Sequence, residues 1–283
     1  MTPDPKPDFT LAAGDTLAAL LRKAPLPALE TRILASHALQ LSRVQLITQS
    51  ERPFSEAEAR SLARLIARRL AGEPIAYIIG QREFFGLPFS VTSAVLIPRP
   101  ETELLVELAL ERLPQGGRLL DLGTGSGAIA VAIAHERPDA RVTALDASQD
   151  ALAIARQNAG RNQVEVEFLH SDWYAALADA RFDVIVANPP YIEKNDPHLT
   201  QGDLRFEPVD ALTDHADGLT DLRAIVAGAG RHLRAGGWLL MEHGYDQAVA
   251  VRALLAAQAF EQAQSWRDLA GIERVSGAIW RQA

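Results

Sequence analysis

The alternation of strand-like and helix-like segments after residue 117 constrains the fold more than any other feature of the sequence. Short, largely apolar runs predict strands at 118–123, 141–146, 164–169, 182–188 and 237–243. Amphipathic patterns between and after them predict helices at about 126–136, 149–161, 220–233 and 246–258. This order predicts a mostly parallel sheet with helices on both faces.

The C-terminal tail adds to this sheet. Residues 263–282 lack a long helical pattern, and Gly271 divides them into two strand-like runs. We therefore predict two antiparallel strands there, at the sheet edge. Together with the five earlier strands, they give an α/β domain with a seven-stranded, mostly parallel sheet and an antiparallel edge strand.

The N-terminal third of the chain has a different character. Residues 1–72 show helical patterns, most clearly where Ser55 and Glu58 form a capping box. The apolar stripe that follows this box consists of Leu62, Leu65, Ile66 and Leu70. Residues 73–100 alternate aromatic and β-branched residues around glycines, which is typical of a β-hairpin. We predict a helical bundle at 1–72, a β-hairpin linker at 73–100 and the α/β domain at 101–283.

The composition is that of a globular protein with a substantial core, since 48% of the residues are hydrophobic and 23% are charged. The net charge of −8 weighs against a nucleic-acid substrate, because nucleic-acid binders carry a basic excess or patch. No apolar run approaches ~18 residues, so we expect no membrane span. Because the chain has no secretory signal pattern and no cysteine, we expect a cytoplasmic protein. The seven histidines form no ligand pattern with carboxylates, which predicts no metal site.

A glycine-rich turn follows the first strand of the alternating region, in the stretch LLDLGTGSGAIAVAIA. Its glycines allow a tight turn and a close approach of the backbone to a ligand. The candidate cofactor-binding residues of this turn are Gly123, Thr124, Gly125, Ser126 and Gly127. The spacing through Ala128 also matches the looser dinucleotide fingerprint, so a dehydrogenase and a tight turn without a ligand both stay open at this point.

Acidic residues after the second and third strands help to predict which cofactor the turn binds. Asp146 lies about 20 residues beyond the turn, where a carboxylate can accept from both ribose hydroxyls or share in capping a helix with Ser148. Asp172 can accept from an adenine amine, and Trp173 can stack on the ring or pack in the core. With Asp121, the arrangement resembles the class I methyltransferases, which have a Rossmann-like fold. The resemblance implies S-adenosyl-L-methionine as cofactor and S-adenosyl-L-homocysteine as product.

The sequence NPPY (188–191) ends the fourth strand, because its prolines cannot donate to a sheet ladder. Two prolines alone are consistent with strand termination. The full motif resembles the [DNS]-P-P-[YFW] signature of methyltransferases that act on planar amide or amine nitrogens. The Asn188 side-chain oxygen and the Pro189 carbonyl can accept the two hydrogens of such a nitrogen and align it with the methyl donor. Pro189 and Pro190 stiffen the loop, Tyr191 can pack against the flat substrate group, and no general base is evident.

Longer stretches of the sequence indicate which class of substrate carries the planar nitrogen. LIPRPETE (96–103), NPPYI, FEPVDAL (206–212) and GGWLLMEHG (236–244) together resemble the release-factor glutamine N5-methyltransferase family. The resemblance implies methyl transfer to the glutamine of the Gly-Gly-Gln motif of class 1 peptide-chain release factors. It implies catalytic roles for Asn188, Pro189 and Tyr191, substrate contacts by all four residues of NPPY, and a cofactor contact by Asn188. It also implies that the N-terminal helices help to dock the release factor. We expect a monomer, because a protein substrate must reach the crevice.

Several alternatives stay open on the residues alone. NPPY also permits an adenine-N6 methyltransferase acting on DNA or RNA, against which stand the acidic charge and the lack of a recognisable target-recognition domain. A nicotinamide dehydrogenase leaves NPPY without a role, and a non-catalytic binding module that keeps the cofactor fold is a further alternative. Arg99 and Glu101 can cap a helix or cover the cofactor crevice, and neither is assigned a chemical step.

Overall fold

The computed structural model describes residues 9–281 and divides into two compact units, Met1–Gly80 and Gln81–Ala283. The first unit is helical. Its helices are α1 (Leu17–Lys23), α2 (Ala28–Leu39), α3 (Arg43–Thr48), α4 (Glu56–Leu70) and α5 (Ile75–Ile79). The predicted helical bundle is therefore confirmed for residues 9–72, and residues 1–8 of that prediction lie outside the described residues.

Helix α4 shows why this unit folds as it does. The Ser55 hydroxyl accepts from the Glu58 backbone N–H at 3.3 Å, and the Glu58 carboxylate accepts from the Ser55 N–H at 2.8 Å. This is the predicted capping box, which satisfies two N–H groups at the start of the helix. Leu62, Leu65 and Ile66 are buried in the core of the unit. The helix is thus held by its cap at one end and by its apolar stripe along one face.

Part of the segment predicted as a β-hairpin is helical instead. Helix α5 runs between Pro74 and Gly80, which stands at the C-terminal cap with φ +71°. Its sequence, IAYII, has no polar residues to reveal a helical period, so the β-branched content favoured a strand. The hairpin begins only after it, with β1 (Gln81–Phe84) and β2 (Leu87–Ser90). Phe85 (φ +51°) and Gly86 (φ +74°) form its two-residue turn, and both left-handed conformations suit the strand twist.

The second unit is built on a seven-stranded sheet. Its strands are β3 (Arg118–Leu122), β4 (Arg141–Asp146), β5 (Glu167–His170), β6 (Phe182–Ala187), β7 (Leu233–Glu242), β8 (Phe260–Arg267) and β9 (Glu273–Trp280). Their order is β5-β4-β3-β6-β7-β9-β8, and β9 is antiparallel to both its neighbours. The predicted sheet is confirmed with one difference. The antiparallel strand β9 lies one position inside the edge, where it pairs with β7 on one side and with the edge strand β8 on the other.

Helices cover both faces of this sheet. They are α6 (Glu103–Arg112), α7 (Ala128–Glu136), α8 (Gln149–Arg161), α9 (Thr220–His232) and α10 (Ala248–Ala257). Leu119 and Val184 face a core shared with α6, α7 and the hairpin, whereas Leu120 and Ile185 face a core shared with α9 and α10. Burial on both faces explains why the strands are continuous apolar runs. Among residues 9–281, no helix is long and apolar enough to cross a membrane.

The strand order also locates a crevice. From β3 the chain moves outward through β4 to β5, and it then returns to β6 on the other side of β3. In open α/β sheets, ligands bind beyond the carboxyl ends of the strands at such a change of direction. The loops that follow β3 and β6 are the glycine-rich turn and NPPY. The fold therefore brings the two principal motifs to the same edge of the sheet.

Candidate active site

A cleft of about 410 Å³ opens at the carboxyl ends of β3, β4 and β6, which is within the usual size range of small-molecule sites. Many of the predicted site residues line it. They are Gly123, Thr124, Gly125, Ser126, Asp146, Asp172, Trp173, Asn188 and Pro190. The described wall does not include Gly127, Pro189 or Tyr191. The structure thus brings the glycine turn, the two acids and Asn188 into one cavity.

The glycine turn is held in place by both neighbouring strands. Gly123 and Gly125 have φ values of +69° and +56°, a left-handed conformation that favours glycine. The Thr124 backbone N–H donates to the Leu145 carbonyl at 2.8 Å, and the Gly125 N–H donates to Asp146 Oδ2 at 2.8 Å. The turn is therefore tied to the end of β4 as well as to β3.

Asp121 supports the turn from inside the core. The side chain is fully buried, and its Oδ2 accepts from the Thr124 hydroxyl at 2.6 Å. Burial raises the pKa of the Asp121 carboxyl to about 7, while the bond from Thr124 acts in the opposite direction. Because Asp121 does not line the cleft, it serves to hold the turn and not to contact a ligand.

Gly127 is constrained by helix packing, and its predicted contact with the cofactor stays a prediction. It begins α7 with φ +80°, and a Cβ added there would lie 3.1 Å from the Ala155 Cβ and 3.2 Å from the Ala155 Cα of α8. These contacts are too short to accommodate a side chain without moving backbone. Gly127 is therefore a packing residue between two helices, and it stands outside the cleft wall.

We expect Gly127→Ala to destabilise the protein by more than Gly116→Ala does. Gly116 also has a positive φ, of +63°, but a Cβ added there meets no atom within 4 Å. The loss of folding stability in Gly116→Ala then reports only the cost of placing alanine in a left-handed conformation, about 1–2 kcal/mol. Crowding against Ala155 adds about 1–3 kcal/mol for Gly127→Ala. Urea unfolding of both variants checks this, and equal losses of stability would contradict the packing role.

Asp146 lines the cleft and keeps unused acceptor capacity on both carboxylate oxygens. Its Oδ1 accepts from the Ser148 backbone N–H and its Oδ2 from the Gly125 N–H, both at 2.8 Å. A carboxylate has about four acceptor positions, so each oxygen keeps capacity for a further donor. Ser148 itself caps α8, through its hydroxyl and the Ala151 N–H at 3.1 Å. Burial raises the pKa of the Asp146 carboxyl, and the backbone donors counteract that effect.

Trp173 takes part in core packing, and its stacking on an adenine ring stays a prediction. Its ring packs against the core on the α9 side of the sheet and also lines the cleft. A ring atom lies 3.7 Å from where a Gly123 Cβ would be, so the indole lies beside the glycine turn. Its N–H interacts with Asp221, whose pKa is raised by burial and by the nearby Asp214 and Asp172 carboxylates. Asp221 lines the cleft but was not predicted, because an acid in a first helical turn looks like ordinary dipole compensation.

The four residues of NPPY do not all face the cleft. Asn188 and Pro190 line it, and Pro189 is buried beneath them. The Tyr191 ring packs against the core, where burial raises the pKa of its hydroxyl, and that hydroxyl donates to Glu242 Oε1 at 3.3 Å. The Tyr191 ring therefore lies behind the motif and not in the cleft wall.

The segment IPRPETE covers one side of the cleft, where Arg99 and the largely buried Thr102 form part of the wall. The Arg99 guanidinium pairs with Glu207, whose side chain is fully buried. The Glu207 Oε2 also accepts from the Ile97 backbone N–H at 3.0 Å. This pair joins two segments that are more than 100 residues apart in sequence, a link that the sequence alone gives no sign of. Arg99 thus fixes the cleft wall by an ion pair with a buried carboxylate.

Comparisons with known proteins agree with this geometry. A family model described as methyltransferase small domain matches residues 100–203, and one described as PrmC N-terminal domain matches residues 15–80. The T. thermophilus 16S rRNA N2 G1207 methyltransferase, solved in complex with AdoMet and guanosine, aligns with a TM-score of 0.51. It is 25% identical to this chain, and the alignment covers 71% of this chain and 50% of that one.

Curated relatives match over nearly the whole length. A release factor glutamine methyltransferase of Burkholderia pseudomallei is 58% identical over 271 residues, covering 93% of this chain and 95% of that protein. The protein of the same description from Neisseria gonorrhoeae is 51% identical over 253 residues, covering 89% of this chain and 93% of that protein. These matches confirm the resemblance carried by LIPRPETE and NPPY, and the chain belongs to the release factor glutamine methyltransferase family.

Proposed function

We propose that this enzyme transfers a methyl group from S-adenosyl-L-methionine to the side-chain amide nitrogen, N5, of the Gly-Gly-Gln glutamine in class 1 release factors. One observation carries the proposal: Asn188 lines the same cleft as Asp146 and the glycine turn. An acceptor suited to an amide N–H and a carboxylate suited to a ribose therefore face one cavity. The description of the relatives as release factor glutamine methyltransferases supports the choice of substrate.

The cleft residues fit S-adenosyl-L-methionine, which supplies an activated methyl group on a sulfonium. Asp146 accepts the ribose hydroxyls, and the backbone of Gly123 and Gly125 permits a close approach of the cofactor. Asp172 and Trp173 provide an acceptor and an aromatic face for adenine. The similar fold of a methyltransferase solved with AdoMet supports this assignment.

The reacting nitrogen is a poor nucleophile, because its lone pair is delocalised into the amide. The Asn188 Oδ1 atom and the Pro189 carbonyl accept its two hydrogens and direct the lone pair at the methyl carbon. The nitrogen–carbon bond forms as the sulfur–carbon bond breaks, and S-adenosyl-L-homocysteine leaves. The alkylated nitrogen then loses one proton to water, so the residues of the motif need to supply no base.

We propose further that the N-terminal helical part docks the release factor while the α/β part carries out the transfer. The match of residues 15–80 to a family-specific N-terminal domain supports a role tied to this substrate. We propose that the enzyme is a monomer, because the cleft must admit a loop of another protein. We propose a cytoplasmic location, because release factors act there.

The decisive experiment incubates the protein with S-adenosyl-L-methionine and a release factor, followed by peptide mass spectrometry. We expect the mass of one added methylene on the Gly-Gly-Gln peptide, located on its glutamine. The matched control is a release factor in which alanine replaces that glutamine, and we expect no added mass on its peptide. Methyl transfer to DNA or RNA oligonucleotides, with none to the release factor, would contradict the proposal and favour the adenine-N6 alternative.

A further inference from the structure

A buried group of polar side chains lies directly behind NPPY. The Asn188 Nδ2 atom donates to the Thr102 hydroxyl oxygen at 3.2 Å, and the Tyr191 hydroxyl donates to Glu242 Oε1 at 3.3 Å. Thr102 also interacts with the Glu242 carboxyl. Thr102 is 4% exposed and Glu242 is 1% exposed, so water does not readily substitute for any of these partners. The proposed transfer reaction does not itself use Thr102 or Glu242.

The hydrogen bonds of this group leave one donor and one acceptor unused. The Thr102 hydroxyl oxygen accepts a hydrogen bond from Asn188. Among the described residues, the Thr102 hydroxyl does not itself donate a hydrogen bond of normal length. On the other side, Glu242 Oε2 is buried without a hydrogen-bond partner. A buried acceptor without a donor is costly, so the adjacent Thr102 hydroxyl is its natural partner. Glu242 thereby sets the direction in which Thr102 donates.

The direction of that bond has a consequence for Asn188. An asparagine carboxamide has a donor end and an acceptor end, and two orientations related by a flip of about 180° fill nearly the same space. If Thr102 donates to Glu242, its oxygen can only accept, and it selects the Nδ2 end of Asn188. The flipped carboxamide would require Thr102 to donate to Asn188, leaving Glu242 unsatisfied and presenting N–H groups to the N–H groups of the substrate.

We propose that Thr102 and Glu242 are positioning residues that fix the Asn188 carboxamide with its oxygen towards the substrate nitrogen. This inference rests on the proposed function, because it concerns how Asn188 receives an amide N–H. Glu242 acts on Asn188 through Thr102 and on Tyr191 directly, so one buried carboxylate orders two residues of NPPY. Neither residue contacts the reacting atoms.

The charged neighbours of Glu242 bear on the conditions of a test. Burial raises the pKa of the Glu242 carboxyl to about 7, and the Thr102 and Tyr191 hydroxyls and Arg274 of β9 act to lower it, while Glu101 acts to raise it. The carboxyl is therefore ionised, and purely an acceptor, at pH values above about 8. Assays above about pH 8 therefore test the orientation of the Asn188 carboxamide with Glu242 ionised.

The test compares Thr102→Val with Thr102→Ser. Valine keeps the shape of threonine but removes the hydroxyl, so the Asn188 carboxamide loses its preference for one orientation. We expect kcat for release-factor methylation to fall about 10- to 100-fold, while the Kd for S-adenosyl-L-methionine changes by less than about twofold. Serine restores the hydroxyl, and we expect kcat to return to within about threefold of the wild type.

Thr143→Val is the matched control. Thr143 is 5% exposed on β4 of the same sheet, and its hydroxyl donates to Glu167 Oε2 at 3.0 Å, away from the cleft. Its removal carries a comparable structural cost, and we expect kcat to stay unchanged. A second variant, Glu242→Gln, removes the charge that directs Thr102 and should lower kcat as Thr102→Val does.

Three results would overturn the proposal. They are a wild-type kcat in Thr102→Val, a kcat in Thr102→Ser as low as in Thr102→Val, and an equal loss in Thr143→Val. Failure of the proposed function gives a different result, because the wild-type protein itself then does not methylate the release factor. The valine and serine variants are then compared on whatever substrate the wild type accepts, so the two failures are distinguishable.

Discussion

Replacing Asn188 with alanine is expected to abolish methyl transfer while leaving cofactor binding largely intact. The side-chain oxygen of Asn188 is one of two acceptors available to the substrate nitrogen, and alanine offers none in its place. Loss of one preorganised polar group in such a site typically costs about 10²–10³ in kcat. The amide here is also an unusually weak nucleophile, so we expect at least the upper end of that range.

Two measurements on Asn188→Ala separate catalysis from binding. Single-turnover rates with a release factor report the chemical step, and calorimetry with S-adenosyl-L-methionine reports the cofactor. Asn162→Ala is a suitable control, because Asn162 is a half-buried asparagine that donates to the Pro88 carbonyl at 3.1 Å, outside the cleft. Undiminished turnover in Asn188→Ala would refute the role given to NPPY.

Asp146→Ala is expected to act on the cofactor instead. The carboxylate offers charge-assisted hydrogen bonds to two ribose hydroxyls, each worth about 1.5–3 kcal/mol. Loss of both weakens the binding of S-adenosyl-L-methionine by about 100-fold or more. The variant also loses the bond to the Gly125 N–H, which adds to the effect. Asp146→Asn keeps one acceptor oxygen, and we expect it to be intermediate.

The control for Asp146 lies at the opposite end of the sheet. Asp183 Oδ2 accepts from the Arg118 backbone N–H at 2.7 Å, which resembles the bond between Asp146 and Gly125. Asp183→Ala should therefore lower stability without changing the Kd for S-adenosyl-L-methionine. Titration calorimetry on both variants makes the comparison. Equal cofactor affinity in Asp146→Ala and the wild type would remove Asp146 from the binding site.

The parts of the fold that depend on local patterns could be predicted from the sequence. The capping box at Ser55 and the strand–helix alternation after residue 117 follow from rules that act within a few residues. The carboxyl-end rule for parallel sheets then places Asp146 and Asn188 at the same edge of the sheet. Helix α5 was missed because its apolar sequence shows no period.

The parts that depend on distant segments could not be predicted. The ion pair of Arg99 with Glu207 and the contact of Tyr191 with Glu242 join residues far apart in the chain, and no spacing rule relates them. The motif predicts a ligand contact for Gly127, which stays a prediction, but it gives no sign of the packing constraint that Ala155 imposes from another helix. Sequence motifs therefore identified the groups at the cleft surface but not the residues that hold them.

The bond between Gly125 and Asp146 has a consequence for repeated turnover. Because the protein's own carboxylate fixes the turn, the turn needs no ligand to take its shape. Little ordering entropy is then spent when the methyl donor binds, and exchange of spent cofactor for fresh requires no folding or unfolding of this loop. An enzyme built in this way can exchange spent for fresh methyl donor with its binding turn already in place.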